Sequence, residues 1–100
     1  MIIRMFHTAV DPEDLERGKA LFRDKVRPAF LAFEGCEGIE MHVGLEDHSG
    51  GLVDVVSVSK WTSKEAIDHA VAGETYEEAI AELKRLFQQN PIVRHFEDIE

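Results

Sequence analysis

The chain has 100 residues, of which 44% are apolar and 31% charged, and a net charge of −9. That length fits one domain over residues 1–100 with a modest core. The acidic balance excludes nucleic acid and anionic membrane surfaces as natural partners, because both need clustered Lys and Arg.

No apolar run nears the roughly 20 residues of a membrane span, so no membrane is expected as a partner. The first residues lack a basic stretch followed by a long apolar one, so a cytoplasmic location is expected. Cys36 is the only cysteine, which rules out an internal disulfide and fits a reducing compartment.

Residues 2–10 read as the first strand. Ile3, Met5, His7 and Ala9 share one face, and Ile2, Arg4, Phe6 and Thr8 share the other. Apolar residues on both sides imply a sheet covered on both faces. Asp11-Pro12-Glu13-Asp14 is a helix start, with a capping Asp, Pro at the first helical position and acids at the positive end of the dipole. Leu15, Phe22, Val26, Phe30 and Phe33 follow at helical spacing. Pro28 should kink this helix, or end its regular part near Arg27. Glu34-Gly35-Cys36-Glu37-Gly38 forms the next turn.

Ile39, Met41, Val43 and Leu45 alternate with polar residues and predict a half-buried second strand. Asp47 to Gly51 is a turn-rich hairpin connection, and residues 52–60 form the third strand, antiparallel to the second. Trp61 stands where this strand meets a helix. Thr62 lies three residues before Glu65, the capping-box spacing, and the helix runs from Ser63 to about Ala72 with Gly73 as a left-handed end. Thr75 offers a second capping box. The helix behind it carries Tyr76, Ala79, Ile80, Leu83, Leu86 and Phe87 on one stripe and stops at Asn90-Pro91. Residues 92–99 form the last strand.

The order β-α-β-β-α-α-β predicts a ferredoxin-like α+β fold, a four-stranded antiparallel sheet with helices on one face. The second face of the sheet still carries apolar residues. A homodimer is the expected way to cover it.

Nucleotide-binding glycine loops, a Gly-x-Ser-x-Gly elbow and metal-ligand spacings are all absent, so no cofactor and no metal are expected. His7, His42 and His95 lie on three different strands. Arg4 and Arg94, on the first and last strands, are expected in ion pairs, with an anionic ligand as the other reading. Cys36 has acidic neighbours, which disfavour a thiolate. Trp61 has two readings, as core and as the wall of a pocket.

Three segments resemble the antibiotic biosynthesis monooxygenase family of dimeric α/β barrels. They are Glu34-Gly35-Cys36-Glu37-Gly38-Ile39-Glu40, Trp61-Thr62-Ser63-Lys64-Glu65-Ala66, and His69 followed by Tyr76. The resemblance implies a homodimer whose sheets face each other, and a pocket in each subunit between sheet and helices. Family members include cofactor-free oxygenases of quinol-like aromatics and haem-degrading enzymes. The positions that carry an Asn and a Tyr in the quinol oxidisers hold Ser57 and Ile67 here. Those that carry a Trp and a His in the haem degraders hold Ala70 and Ile80.

Two functions follow. The first is a cofactor-independent monooxygenase of a small aromatic or quinol-like substrate. In it Trp61 binds the substrate as a wall, His69 accepts a proton, and Ser57 or Tyr76 holds the substrate oxygen. The second is a non-catalytic dimeric barrel that binds a small apolar or aromatic molecule.

Overall fold

Alternation in the first strand decides which side of the molecule each residue serves. The structure is a computed structural model that describes residues 1–46 and 49–99, with the backbone alone at Ser49. Its strands are β1 (Ile2–Val10), β2 (Cys36–Val43), β3 (Val53–Trp61) and β4 (Ile92–Glu97), in the sheet order β2-β3-β1-β4. All neighbours are antiparallel, with Ile2 opposite Trp61, Phe6 opposite Ser57 and Val93, and Met41 opposite Ser57. The even residues of β1 therefore point at the helices, together with Ser57, Ser59 and Trp61 of β3. The odd residues point to the other face. This is the expected ferredoxin-like α+β topology.

The helical layer begins with a short 3-10 turn (Pro12–Asp14), capped by the Asp11 carboxylate through the Glu13 amide at 2.9 Å. α1 (Leu15–Leu21) and α2 (Arg27–Ala32) continue it, joined by a π-helical turn (Phe22–Val26). Pro28 was expected to kink or end this helix. Instead the chain stays helical to Ala32, and the irregularity sits one turn earlier. Pro28 has no N–H, so the ladder cannot run unbroken there. The Arg27 amide bonds the Phe22 carbonyl, five residues back. This wider turn absorbs the mismatch.

α3 (Lys64–Val71) and α4 (Glu74–Lys84) complete the layer. The cap of α3 is Ser63, whose hydroxyl accepts from the Ala66 amide at 3.1 Å, rather than Thr62. Thr62 is held differently, its amide donating to the Gly35 carbonyl at 2.8 Å. Gly35 has φ +87, and a Cβ there would meet the Ala66 Cβ at 2.6 Å. The turn before β2 thus needs glycine both for its backbone and for its closeness to α3.

Several boundary expectations fail. Gly73 is extended (φ −95, ψ 163) because it serves as the N-cap of α4 and not as a left-handed end of α3. Thr75 then falls inside α4 and forms no capping box. α4 ends at Lys84, well before Asn90, because Phe87 bridges Val10 and the Gln88 amide bonds the Ala9 carbonyl at 2.8 Å. β2 starts at Cys36, with a register shift between Cys36 and Gly38, and stops at Val43. Leu45, expected on its buried face, is 94% exposed. Ile99 likewise lies beyond β4. Asp47 and His48 of the expected hairpin connection lie outside the described residues.

The core sits between the sheet and the helices. It holds Val26, Phe30, Ile39, Trp61, Ile67, Ala70, Tyr76 and Ile80, with Phe33 packed against it. The opposite face of the sheet carries Ile3, Met5, Val56, Val58 and Phe96 with no helix over them. His7 and His42 flank Val56 on that face, and His95 is on the helix side. His7 contacts Asp54 at 3.1 Å and His42 contacts Glu40 at 3.1 Å, so the strand histidines do not converge. Among the described residues no group of acidic, His and Cys side chains is arranged to hold a metal, and no helix is long and apolar enough to cross a membrane.

Candidate functional site

The layer between sheet and helices is tight at one end and hollow in the middle. At the tight end Trp61 is 0% exposed. Its ring stacks on Phe33 at 6.3 Å and meets Phe30 edge-on at 6.0 Å. Its indole N–H donates to the Ser59 hydroxyl at 2.8 Å, so the one polar atom of the side chain is satisfied inside the core. Trp61 is not among the residues that line the cavity at the centre of the layer. Of its two readings, the structure places Trp61 in the core, where the turn at Gly35 lies close against α3.

The hollow is a cavity of about 50 Å³. Its floor is the helix-facing side of the sheet, with Arg4, Phe6, Thr8, Met41 and Ser57; its roof includes Gly18, Phe22, Tyr76 and Leu83. Apolar atoms dominate the walls, and the polar groups are few: the Arg4 guanidinium and the hydroxyls of Thr8, Ser57 and Tyr76. This is the make-up of a small-molecule site. Two features of the sequence create the space. Ser57 is a small residue in a valine-rich strand, opposite Phe6 on β1 and Met41 on β2. Gly18 leaves a gap in α1, where the nearest side-chain atoms to a built Cβ are Leu83 at 3.7 Å and Leu86 at 3.9 Å.

Tyr76 joins the two regions. Its ring packs on Phe30 at 5.9 Å, within the core, while its hydroxyl reaches the cavity. There it accepts a hydrogen bond from Arg4 Nη2 at 3.1 Å. The Arg4 guanidinium also lies 5.5 Å from the centre of the Phe6 ring and 5.6 Å from that of Tyr76. Arg4 was expected to make an ion pair. It is only 6% exposed and makes none among the described residues. The register explains this: opposite it on β3 and β4 stand Ser59 and His95, not acids. Arg94 is exposed and donates to the Val93 carbonyl at 3.0 Å.

His69 takes no part in the cavity. It is exposed on α3 and borders a shallow surface cleft with Glu34, Cys36, Thr62 and Glu65. The cleft and the cavity share no lining residue. His69 is separated from Ser57 and Tyr76 because it sits on the outer side of the short helix, whose inner side buries Ile67 and Ala70. Cys36 borders the same cleft. Burial raises its thiol pKa above 9.0, and the Glu37 charge adds to the rise, so it stays a thiol as expected. Of the four residues singled out in the sequence, Ser57 and Tyr76 come together and Trp61 and His69 do not. Arg4 is the principal group of the cavity that the sequence reading passed over. The available signal was its place among Ile2, Phe6 and Thr8, on a face with no acid.

His95 stands opposite Arg4 on the edge strand β4. Its pKa lies below the ordinary 6.5, first through partial burial and then through the charges of Lys64 and Arg4, with Asp68 opposing.

The family model described as antibiotic biosynthesis monooxygenase matches residues 1–82. A comparison with curated proteins found no match. Among solved structures, an antibiotic biosynthesis monooxygenase superposes with a TM-score of 0.79 at 17% identity, covering 100% of both chains. Rv0793 of Mycobacterium tuberculosis gives 0.70 at 16% identity, covering 99% of this chain and 95% of its own. A point variant of SnoaB, a cofactor-independent oxygenase from Streptomyces nogalater, gives 0.73 at 15% identity, covering 99% and 93%. At these identities the structures share the fold with this chain.

Proposed function

Because the chain belongs to the antibiotic biosynthesis monooxygenase family, we propose that it is a cofactor-independent monooxygenase of a small aromatic, quinol-like substrate. The observation that carries this reading is the apolar cavity lined by Ser57 and Tyr76. A hydroquinone supplies all the electrons that oxygen needs. One oxygen atom enters the ring, the other leaves as water, and the ring departs as a hydroxyquinone. The protein's part is to bind the ring, fix its oxygens and exclude bulk water. Tyr76 and Ser57 hold those oxygens, while Trp61 keeps the layer rigid behind Tyr76. His69 has no role in this scheme, because it lies outside the cavity.

At about 50 Å³ the free space holds a few waters, not a ring. Binding therefore needs Phe22 and Leu83 to move apart. Phe22 begins the π-helical turn, where the regular ladder is already interrupted.

The proposed assembly is a homodimer, with a second copy covering the apolar face around Met5, Val56 and Val58. Sedimentation should give twice the 11.3 kDa of the chain. A monomer at micromolar concentration contradicts it.

The test of activity is oxygen uptake with a panel of benzo- and naphthohydroquinones and no added cofactor, with ¹⁸O₂ as the label. The expected result is protein-dependent uptake above autoxidation, with one labelled oxygen in the product. Ring binding in the cavity with no turnover by any member of the panel overturns the proposal. It would favour a barrel that only binds its ligand, a reading supported by the lack of a carboxylate or imidazole base among the lining residues.

A further inference from the structure

We propose that the cavity recognises its ligand by a carboxylate, seated on Arg4 and Tyr76, with the apolar or aromatic body of the molecule lying against Phe22 and Leu83. This names the ligand class of the same cavity and rests on its being the substrate site.

A buried guanidinium normally stands opposite an acid, because an isolated charge out of water is costly. Arg4 has no such partner among the described residues, in a chain where acids outnumber Lys and Arg by 20 to 11. No Asp or Glu lines the cavity. The pocket of this acidic protein is therefore positive, and its charge is unanswered from within the lining.

The guanidinium has five N–H donors, and the Tyr76 oxygen takes one of them. The two ring faces beside it hold the charge without using the remaining donors. No buried side-chain nitrogen or oxygen among the described residues lacks a partner. The other Arg4 nitrogens are thus not sealed off, and Arg4 is one of the residues that line the cavity.

Tyr76 adds a second donor. Its oxygen accepts from Arg4, which leaves its own O–H free to point into the hollow. A guanidinium edge and a phenol O–H side by side present several donors at one end of an apolar chamber. A carboxylate has two oxygens and a delocalised charge that match this arrangement, and the pairing is strong because both partners are charged. A neutral amide of the same shape offers one acceptor and brings its own unsatisfied donors. His95, opposite Arg4 on β4, has its pKa lowered chiefly by burial, then by the charges of Lys64 and Arg4.

The experiment uses the full chain and two probes of equal size, benzoate and benzamide, followed by calorimetry and by ¹H–¹⁵N spectra of the Arg4 Nε–H group. Benzoate should bind at least about tenfold more tightly than benzamide and shift the Arg4 Nε–H resonance. Arg4→Met keeps the length of the side chain and should erase the preference, while Arg4→Lys should retain part of it. Equal binding of the probes, no binding of either at millimolar concentration, or a preference that survives Arg4→Met overturns the proposal. If the variants do not fold, the resonance in the unaltered protein decides: unmoved at saturating benzoate, it overturns the proposal. Oxygen uptake with hydroquinones that benzoate does not inhibit leaves the oxygenase reading standing and overturns this one. Benzoate seated on Arg4 in a protein that turns over no hydroquinone supports this one and removes the other.

Discussion

The end and the middle of the helix–sheet layer are built from similar materials and packed differently. Around Trp61 there are large rings, a satisfied indole and no space. Around Arg4 and Tyr76 there are also rings, but Ser57 and Gly18 withhold volume and a cation stands without an acid among the described residues. A large aromatic does not by itself make a pocket. Missing volume does, together with polar groups left over once the fold has taken what it needs.

Predictions that separate the two regions differ in size. Trp61→Ala should cost the most stability, about 3–5 kcal/mol, because it empties a fully buried site braced by two phenylalanines. Urea unfolding checks this, and a loss below 1 kcal/mol would mean the end is loosely packed. Tyr76→Phe should cost about 1–3 kcal/mol, since it strips Arg4 of its hydrogen bond. Turnover or probe binding should fall further, by tenfold or more, because the lost hydroxyl is also the ligand's partner. Equal losses at both positions in both assays would erase the distinction drawn here.

Gly18→Ala has the opposite sign. A helical glycine costs up to about 1 kcal/mol relative to alanine, and the added Cβ meets Leu83 at an ordinary 3.7 Å. The variant should be more stable by about 0.5–1 kcal/mol and bind ring-sized ligands less well. Gain in stability with unchanged binding would show that the space under α1 is not used.

The smallest effect is electrostatic. His95 should titrate below 6.5 in an NMR series, and Arg4→Met should raise its midpoint only in part, since burial and Lys64 also act. The folded state takes up this proton less readily than the unfolded chain. The contribution of His95 to stability is therefore fully present above pH 6.5 and is lost as pH falls through the lower folded midpoint. A midpoint at or above 6.5 contradicts the positive potential beside β4.

Much of the fold was legible in the sequence. Alternation in β1 and β3, the helical stripes and the Asp11-Pro12 start led to the right element order and topology. Boundaries were harder wherever a long-range contact decides them: Phe87 pairing with Val10 cuts α4 short, and no local signal announces it. The candidate site was legible only in part. Ser57 and Tyr76 could be singled out, yet the side of α3 on which His69 stands depends on which face the helix buries. Arg4 was visible as a charge on an apolar face. That Ser59 and His95, not acids, stand opposite it is a matter of strand register, which only the assembled sheet determines.

The central claim is that ligands enter beside Arg4 and Tyr76, not beside Trp61 or His69. The most direct measurement is a ¹H–¹⁵N and methyl NMR titration of the full chain with a small hydroquinone. The account predicts the largest shifts at Phe6, Ser57, Tyr76 and Leu83, with the Trp61 indole N–H resonance nearly still. Shifts confined to His69, Thr62 and Glu65 would place the site in the surface cleft and contradict it.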